Sequence, residues 1–126
     1  MGFQGYRDLK AFQLSYQLAM EIFELTKSFP REEKYSLVDQ IRRSSRGVSG
    51  NIAEAWKKRR YQRMFVSKII DSAGEAAETE VWLSFAKDCG YLLKSDFDLL
   101  FKKYDEVNRM LNGMVDKAER FCINTN

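Results

Sequence analysis

Apolar positions recur at alternating spacings of three and four through four stretches of the chain, the period of a helix that buries one side. In the first stretch Leu9, Phe12, Tyr16, Ala19, Phe23 and Thr26 form one row, with Leu14, Leu18, Ile22, Leu25 and Phe29 beside it. Phe29-Pro30 ends it, since proline breaks a hydrogen-bond ladder but can open the next helix at its first turn. Glu32 and Glu33 then fall where a helix dipole favours acids. The second stretch, residues 31–58, carries an apolar row (Leu37, Ile41, Ser45, Val48, Ile52, Ala55) and a small polar row (Gln40, Ser44, Gly47, Asn51, Glu54). Arg42, Arg46, Lys57 and Arg60 point away from the apolar row. Gly47 and Gly50 each cost about 1 kcal/mol in a helix interior. Both rows nevertheless cross them in register, which predicts one continuous helix rather than a loop at residues 44–50, with the glycines admitting another backbone.

The third stretch, residues 61–89, aligns Val66, Ile69, Ala73, Ala76 and Leu83, with Phe65, Ile70, Ala77 and Val81 nearby, and Gly90 reads as its C-terminal cap. Ser95 or Asp96 is the expected N-cap of the fourth. Its row (Phe97, Leu100, Tyr104, Val107, Leu111, Met114, Ala118, Phe121) continues unshifted across Asn112-Gly113. No segment supports a strand. Short connections between long helices predict an all-α, up-down-up-down four-helix bundle forming one domain, residues 1–126.

The first and third helices carry more apolar surface than a monomeric bundle can cover, which predicts a homo-oligomer. Antiparallel pairing of the second and third helices sets Gln40 and Arg43 opposite Glu78 and Glu80. Glu80 lies on an otherwise apolar face, so Arg43 or Gln40 is its expected partner. With Asn51 and Glu54 these residues make a candidate structural polar network. On that reading, Arg43→Met would destabilise the fold severely.

Composition narrows the chemistry. Among 126 residues there is no histidine, which removes the usual general base and the commonest metal ligand. Cys89 and Cys122 are too few for a zinc set and read as reduced thiols, so no metal or cofactor is expected, and the protein is expected in the cytoplasm. No apolar run reaches the roughly 20 residues of a membrane span, and residues 1–6 lack a signal core or a myristoylation motif. The net charge of +3 hides an asymmetry: residues 42–68 hold nine Lys/Arg and one acid, a local +8, and the rest of the chain is −5.

Gln40-Ile41-Arg42-Arg43-Ser44-Ser45 followed by Asn51-Ile52-Ala53-Glu54-Ala55 resembles the signature of the bacterial four-helix-bundle proteins, also called 23S ribosomal RNA intervening-sequence proteins. Phe29-Pro30 with Glu33, then Gly74, Glu78 and Glu80, and finally Gly90-Tyr91-Leu92 match in order. Ala55 stands where the family usually has glycine, and Glu75 where serine is common. The resemblance implies a protomer that closes into a ring, typically a homopentamer. It extends to accessory proteins of diversity-generating retroelements, basic pentamers that bind nucleic acid and a reverse transcriptase. It brings no enzymatic activity. The family name reflects gene position inside ribosomal RNA insertions.

Two functional readings stay open. In one, Arg42, Arg46, Lys57, Lys58, Arg59, Arg60 and Arg63 bind RNA or DNA phosphates without sequence specificity, with Tyr61 and Phe65 either stacking or packing. In the other, the protein is a scaffold for a partner protein, and the charge run is a solvated junction. An enzyme is the least supported class.

Overall fold

Four helices account for most of the computed structural model, which describes residues 2–123: α1 (Lys10–Thr26), α2 (Leu37–Lys57), α3 (Gln62–Asp88) and α4 (Lys94–Asp116). Single 3-10 turns occupy Tyr6–Asp8, Arg31–Glu33 and Ala118–Arg120, and no strand occurs among the described residues. Met1 and residues 124–126, the ends of the expected 1–126 domain, lie outside them.

Side-chain bonds between helices fix the direction of each. Ser15 meets Ser49 at 2.9 Å and Thr26 meets Arg42 at 2.9 Å, so numbers fall along α2 as they rise along α1. The same reversal joins α2 to α3 through Ser44 with Thr79 (2.8 Å), Val48 with Ser72 (2.7 Å) and Glu54 with Lys68 (2.6 Å). Each helix packs on the next and α4 closes back on α1, leaving α1 and α3 diagonally opposed. The shared core contains Leu18, Ile22, Ile41, Val48, Ile52, Phe65, Ile69, Tyr104 and Leu111.

Local chemistry explains the boundaries. Gly90 has φ +81, and the N–H groups of Gly90 and Tyr91 bond back to Lys87 and Ala86, closing α3 as expected for a glycine in the left-handed region. The start of α2 is Leu37 rather than residue 31. Glu33 accepts hydrogen bonds from Ser36 Oγ (2.6 Å), the Leu37 N–H (3.4 Å) and Tyr91 Oη (2.8 Å), so this carboxylate caps α2 and ties it to the α3–α4 turn. Those bonds, led by Ser36, hold Glu33 below the usual carboxylate range, and the bond to Glu33 pushes the Tyr91 phenol up to about 12. The start of α4 is also displaced: Leu93 takes the cap position and Lys94, not Ser95 or Asp96, opens the helix. The chain ends α1 at Thr26 and α4 at Asp116, short of Phe29 and Phe121.

The buried row of α4 matches the sequence pattern from Leu100 to Met114 and continues to Ala118 in the turn that follows, whereas α3 is rotated from expectation. Its buried positions are Phe65, Ile69, Ser72, Ala76, Thr79, Leu83 and Ala86. Ser72 and Thr79 enter the core because their hydroxyls are bonded, which removes the penalty that polarity would otherwise impose. Ile70 and Val81 are turned to solvent instead.

Helix α2 is continuous through Gly47 and Gly50, but neither glycine admits a backbone. The Glu75 carboxylate fills the space beside Gly47, and nothing lies within 4 Å of a Cβ placed at Gly50. Gly50→Ala is therefore expected to stabilise the fold by about 0.5–1 kcal/mol, since alanine favours the helix and restricts the unfolded chain. Urea unfolding monitored by circular dichroism measures this; a lower midpoint would contradict the open site.

Candidate nucleic-acid interface

The seven cations singled out from the sequence do not form one surface. Arg42 is bound to α1: its Nε donates to Thr26 Oγ1 at 2.9 Å, Nη2 donates to the Phe23 carbonyl at 3.2 Å, and its guanidinium lies 4.6 Å from the Phe23 ring centre. Arg46 is exposed and lies 5.9 Å from the same ring. With Lys34, Arg43, Tyr35, Val38 and Asp39, these two line a groove of ≈ 450 Å³ along the first half of α2.

The second group sits at the α2–α3 turn, about 16 Å further along at 1.5 Å per residue. Arg59 is not free there. Its guanidinium stacks 3.6 Å from the Trp56 ring centre, its Nε donates to the Trp56 carbonyl at 2.8 Å, and its own carbonyl accepts from Ile123 N at 3.1 Å. Lys58 is half-buried, whereas Lys57, Arg60 and Arg63 are exposed. Tyr61 is exposed beside them, but Phe65 has no exposure and lies 6.0 Å from Phe121, so it packs and offers no stacking surface. Sequence reasoning misses Lys34, Arg43 and Tyr35 as surface neighbours of Arg46. The helical pattern assigns Arg43 inward, and a lone tyrosine between helices carries no periodic signal.

The expected polar network is likewise rearranged. Arg43 is exposed and makes no ion pair among the described residues, and Gln40 makes no side-chain hydrogen bond among them. Asn51 Nδ2 donates to the Gly47 carbonyl at 2.9 Å, Glu54 pairs with Lys68, and Glu78 accepts from Trp82 Nε1 at 3.3 Å. Glu80 faces α4, not Arg43 or Gln40: helical rotation turns it toward Asp105. One Glu80 carboxylate oxygen and the fully buried Tyr104 hydroxyl lack hydrogen-bond partners. Burial first, then the neighbouring Asp105, pushes the Glu80 carboxyl up to about 7. Burial also raises the Tyr104 phenol, with Glu21 of α1 and Glu80 acting in the same direction. Glu75 is raised by burial and by Glu78, and Arg43 opposes both.

No helix is long and apolar enough to cross a membrane among the described residues. Cys89 and Cys122 are free thiols, the former exposed and the latter half-buried. The 23S rRNA-intervening sequence protein family matches residues 7–113, and the chain belongs to that family. A solved structure from Bacteroides thetaiotaomicron, described as a protein with unknown function from the S23 ribosomal protein family, is similar at 26% identity. The likeness covers 85% of this chain and 96% of that one with a TM-score of 0.77. No curated protein matches the sequence.

Because Glu80 binds its proton more tightly in the folded chain, its contribution turns unfavourable as pH rises from about 4.5 to about 7 and is constant above that. Glu80→Gln, which keeps the shape and removes the charge, is expected to stabilise the fold by about 1–2 kcal/mol near pH 8, allowing for solvent screening, and hardly at all near pH 4.5. Thermal melts across that range measure it, and a gap independent of pH would contradict the assignment. Arg43→Met, by contrast, is expected to change stability by less than about 0.5 kcal/mol. A large drop in melting temperature would restore the buried pairing.

Proposed function

We propose that this member of the family is a non-enzymatic, cytoplasmic binding protein that assembles with identical copies and contacts RNA or DNA without sequence specificity through residues 42–68. The observation that carries the reading is electrostatic. Of the nine cations in that segment, Lys68 alone makes an ion pair among the described residues, with Glu54 and Asp71. At 100° per residue, Arg42, Arg46 and Lys57 fall within about 60° of each other around α2. Their field therefore adds along one flank instead of being neutralised locally, as phosphate binding requires.

Assembly is supported by apolar side chains on two opposite sides of the protomer. Tyr16 and Met20 on α1 are 52% and 49% exposed, and Ile70 and Val81 on α3 are 55% and 49% exposed. Diagonal helices cannot both be covered by one two-fold contact, whereas a head-to-tail contact between the α1 and α3 sides uses both and repeats around a ring. A cyclic homopentamer is the closure proposed.

Light-scattering mass, measured with and without a mixed pool of RNA fragments that includes ribosomal RNA, tests assembly and binding together. The free protein is expected at several times the mass of one chain, and Ile70→Glu with Val81→Glu is expected to return it to a single chain. Neutralising Lys57, Arg60 and Arg63 to Gln is expected to weaken RNA binding at low salt. The slope of log affinity against log salt is expected to fall by about 0.7–0.9 for every phosphate that these cations neutralise. A single-chain mass for the unaltered protein overturns assembly. Absence of RNA and DNA binding, with capture of one specific protein, overturns the nucleic-acid reading in favour of the scaffold.

A further inference from the structure

We propose, resting on the nucleic-acid reading above, that Tyr35 and the two grooves it separates form a site for single-stranded nucleic acid, with phosphates on one side and unstacked bases on the other. Tyr35 is 85% exposed, on the short turn that leads into α2. One of its sides borders the ≈ 450 Å³ groove whose cations are Lys34, Arg42, Arg43 and Arg46, against the single acid Asp39. Its other side borders a second groove, of ≈ 400 Å³, where Trp82, Phe85, Leu37 and Gln40 supply the aromatic, apolar and amide surface.

An aromatic ring between a cationic groove and an aromatic one is the arrangement a single strand needs. Its backbone is tracked by positive charge while successive bases stack on side-chain rings. A duplex keeps its bases stacked on each other and offers these rings nothing. The Gln40 amide has both donors and an acceptor, makes no side-chain hydrogen bond among the described residues, and can pair with a base edge. Lys34 Nζ lies 5.3 Å from the centre of the Tyr35 ring, so charge and stacking surface are adjacent.

The turn is also held in place. Glu33 accepts from Ser36 and from Tyr91 across the α3–α4 turn, so Tyr35 is presented by a fixed backbone and little ordering is needed on binding. Phe85 lies about 60° around α3 from Ile70 and about 40° from Val81, so the site borders the strip proposed for self-contact.

Binding of labelled single-stranded uridine and deoxythymidine homopolymers, and of a duplex of equal length, tests the site by fluorescence anisotropy. Tyr35→Ala and Phe85→Ala are expected to weaken both single strands about tenfold, the worth of one stacked base, and to leave the duplex unchanged. Tyr35→Phe is expected to bind as the unaltered protein does, and Tyr61→Ala serves as an exposed tyrosine outside the site. Arg43→Gln is expected to weaken single strands and to lower their salt dependence. Since Tyr35 and Phe85 are exposed, their removal leaves the core intact. If single strands bind but Tyr35→Ala and Phe85→Ala match the unaltered protein, this site is overturned and the broader reading stands. An equal weakening on duplex and single strands overturns the stacking role. Binding of neither polymer nor duplex overturns both proposals.

Discussion

The close approach of α2 to α3 is the constraint on which the remaining structure depends. Ser72 Oγ donates 2.7 Å to the carbonyl of Val48 in the middle of the facing helix, a bond that a larger residue on either side would prevent. Ser44, Ser45, Ser49 and Ala55 on α2, with Ser72, Ala76 and Thr79 on α3, are all buried, and their small volumes leave that space. Each hydroxyl is satisfied by another hydroxyl or by a main-chain carbonyl, as at Thr79 with Ser44 and Ser15 with Ser49. A slip of α2 against α3 would break the Ser72–Val48 and Thr79–Ser44 bonds and strand the Ser72 hydroxyl, which makes no bond within its own helix, at a cost of about 1–3 kcal/mol. The register thus selected turns Arg46 and Lys57 outward with no further device.

That hydroxyl seam also separates what the sequence can reveal from what it cannot. Helix α4 has one apolar row and one neighbouring pair of helices, so period alone identifies its buried positions from Leu100 to Met114. Helix α3 is apolar on several sides, and the periodic row that runs through Val66 and Ala73 is apolar except for Glu80. The buried row instead runs through Ser72 and Thr79, whose polarity is cancelled by bonds that only the tertiary arrangement supplies. Rotation of α3 by one row then accounts for Glu80, which is carried from α2 toward Asp105 on α4. Pattern identifies how many helices exist and roughly where they end; it does not rank two candidate faces of one helix when satisfied hydroxyls compete with aliphatic side chains.

The candidate site is legible in charge and illegible in role. A segment of +8 inside a chain that is otherwise −5 is plain from counting. Counting treats Arg42 and Arg59 as equal to Arg60, although the first is bonded to Thr26 and Phe23 and the second lies on Trp56. Guanidinium groups placed on aromatic rings bury carbon surface and satisfy carbonyls, which makes them part of the fold. Tyr35 is invisible for the opposite reason: its meaning comes from two grooves built by residues as distant in sequence as Arg46 and Phe85.

The diagonal placement of the apolar strips links assembly to charge. A head-to-tail ring brings the α1 side of one protomer to the α3 side of the next, and every copy then carries its α2 flank in an equivalent position around the axis. Few unpaired cations on one small protomer bind a polyphosphate weakly, because each contact releases only its own counterions. Repetition changes this. Once a strand is held by one protomer, its next contact is intramolecular, and avidity exceeds the single-site affinity without any new type of contact. The modest +3 of one chain would therefore be a poor guide to the proposed ring, whose polyanion affinity would depend on how many basic flanks one strand can span. In the proposed ring, assembly and binding would be coupled, and mutations on the apolar strips of α1 and α3 would weaken nucleic-acid binding while leaving every cation in place.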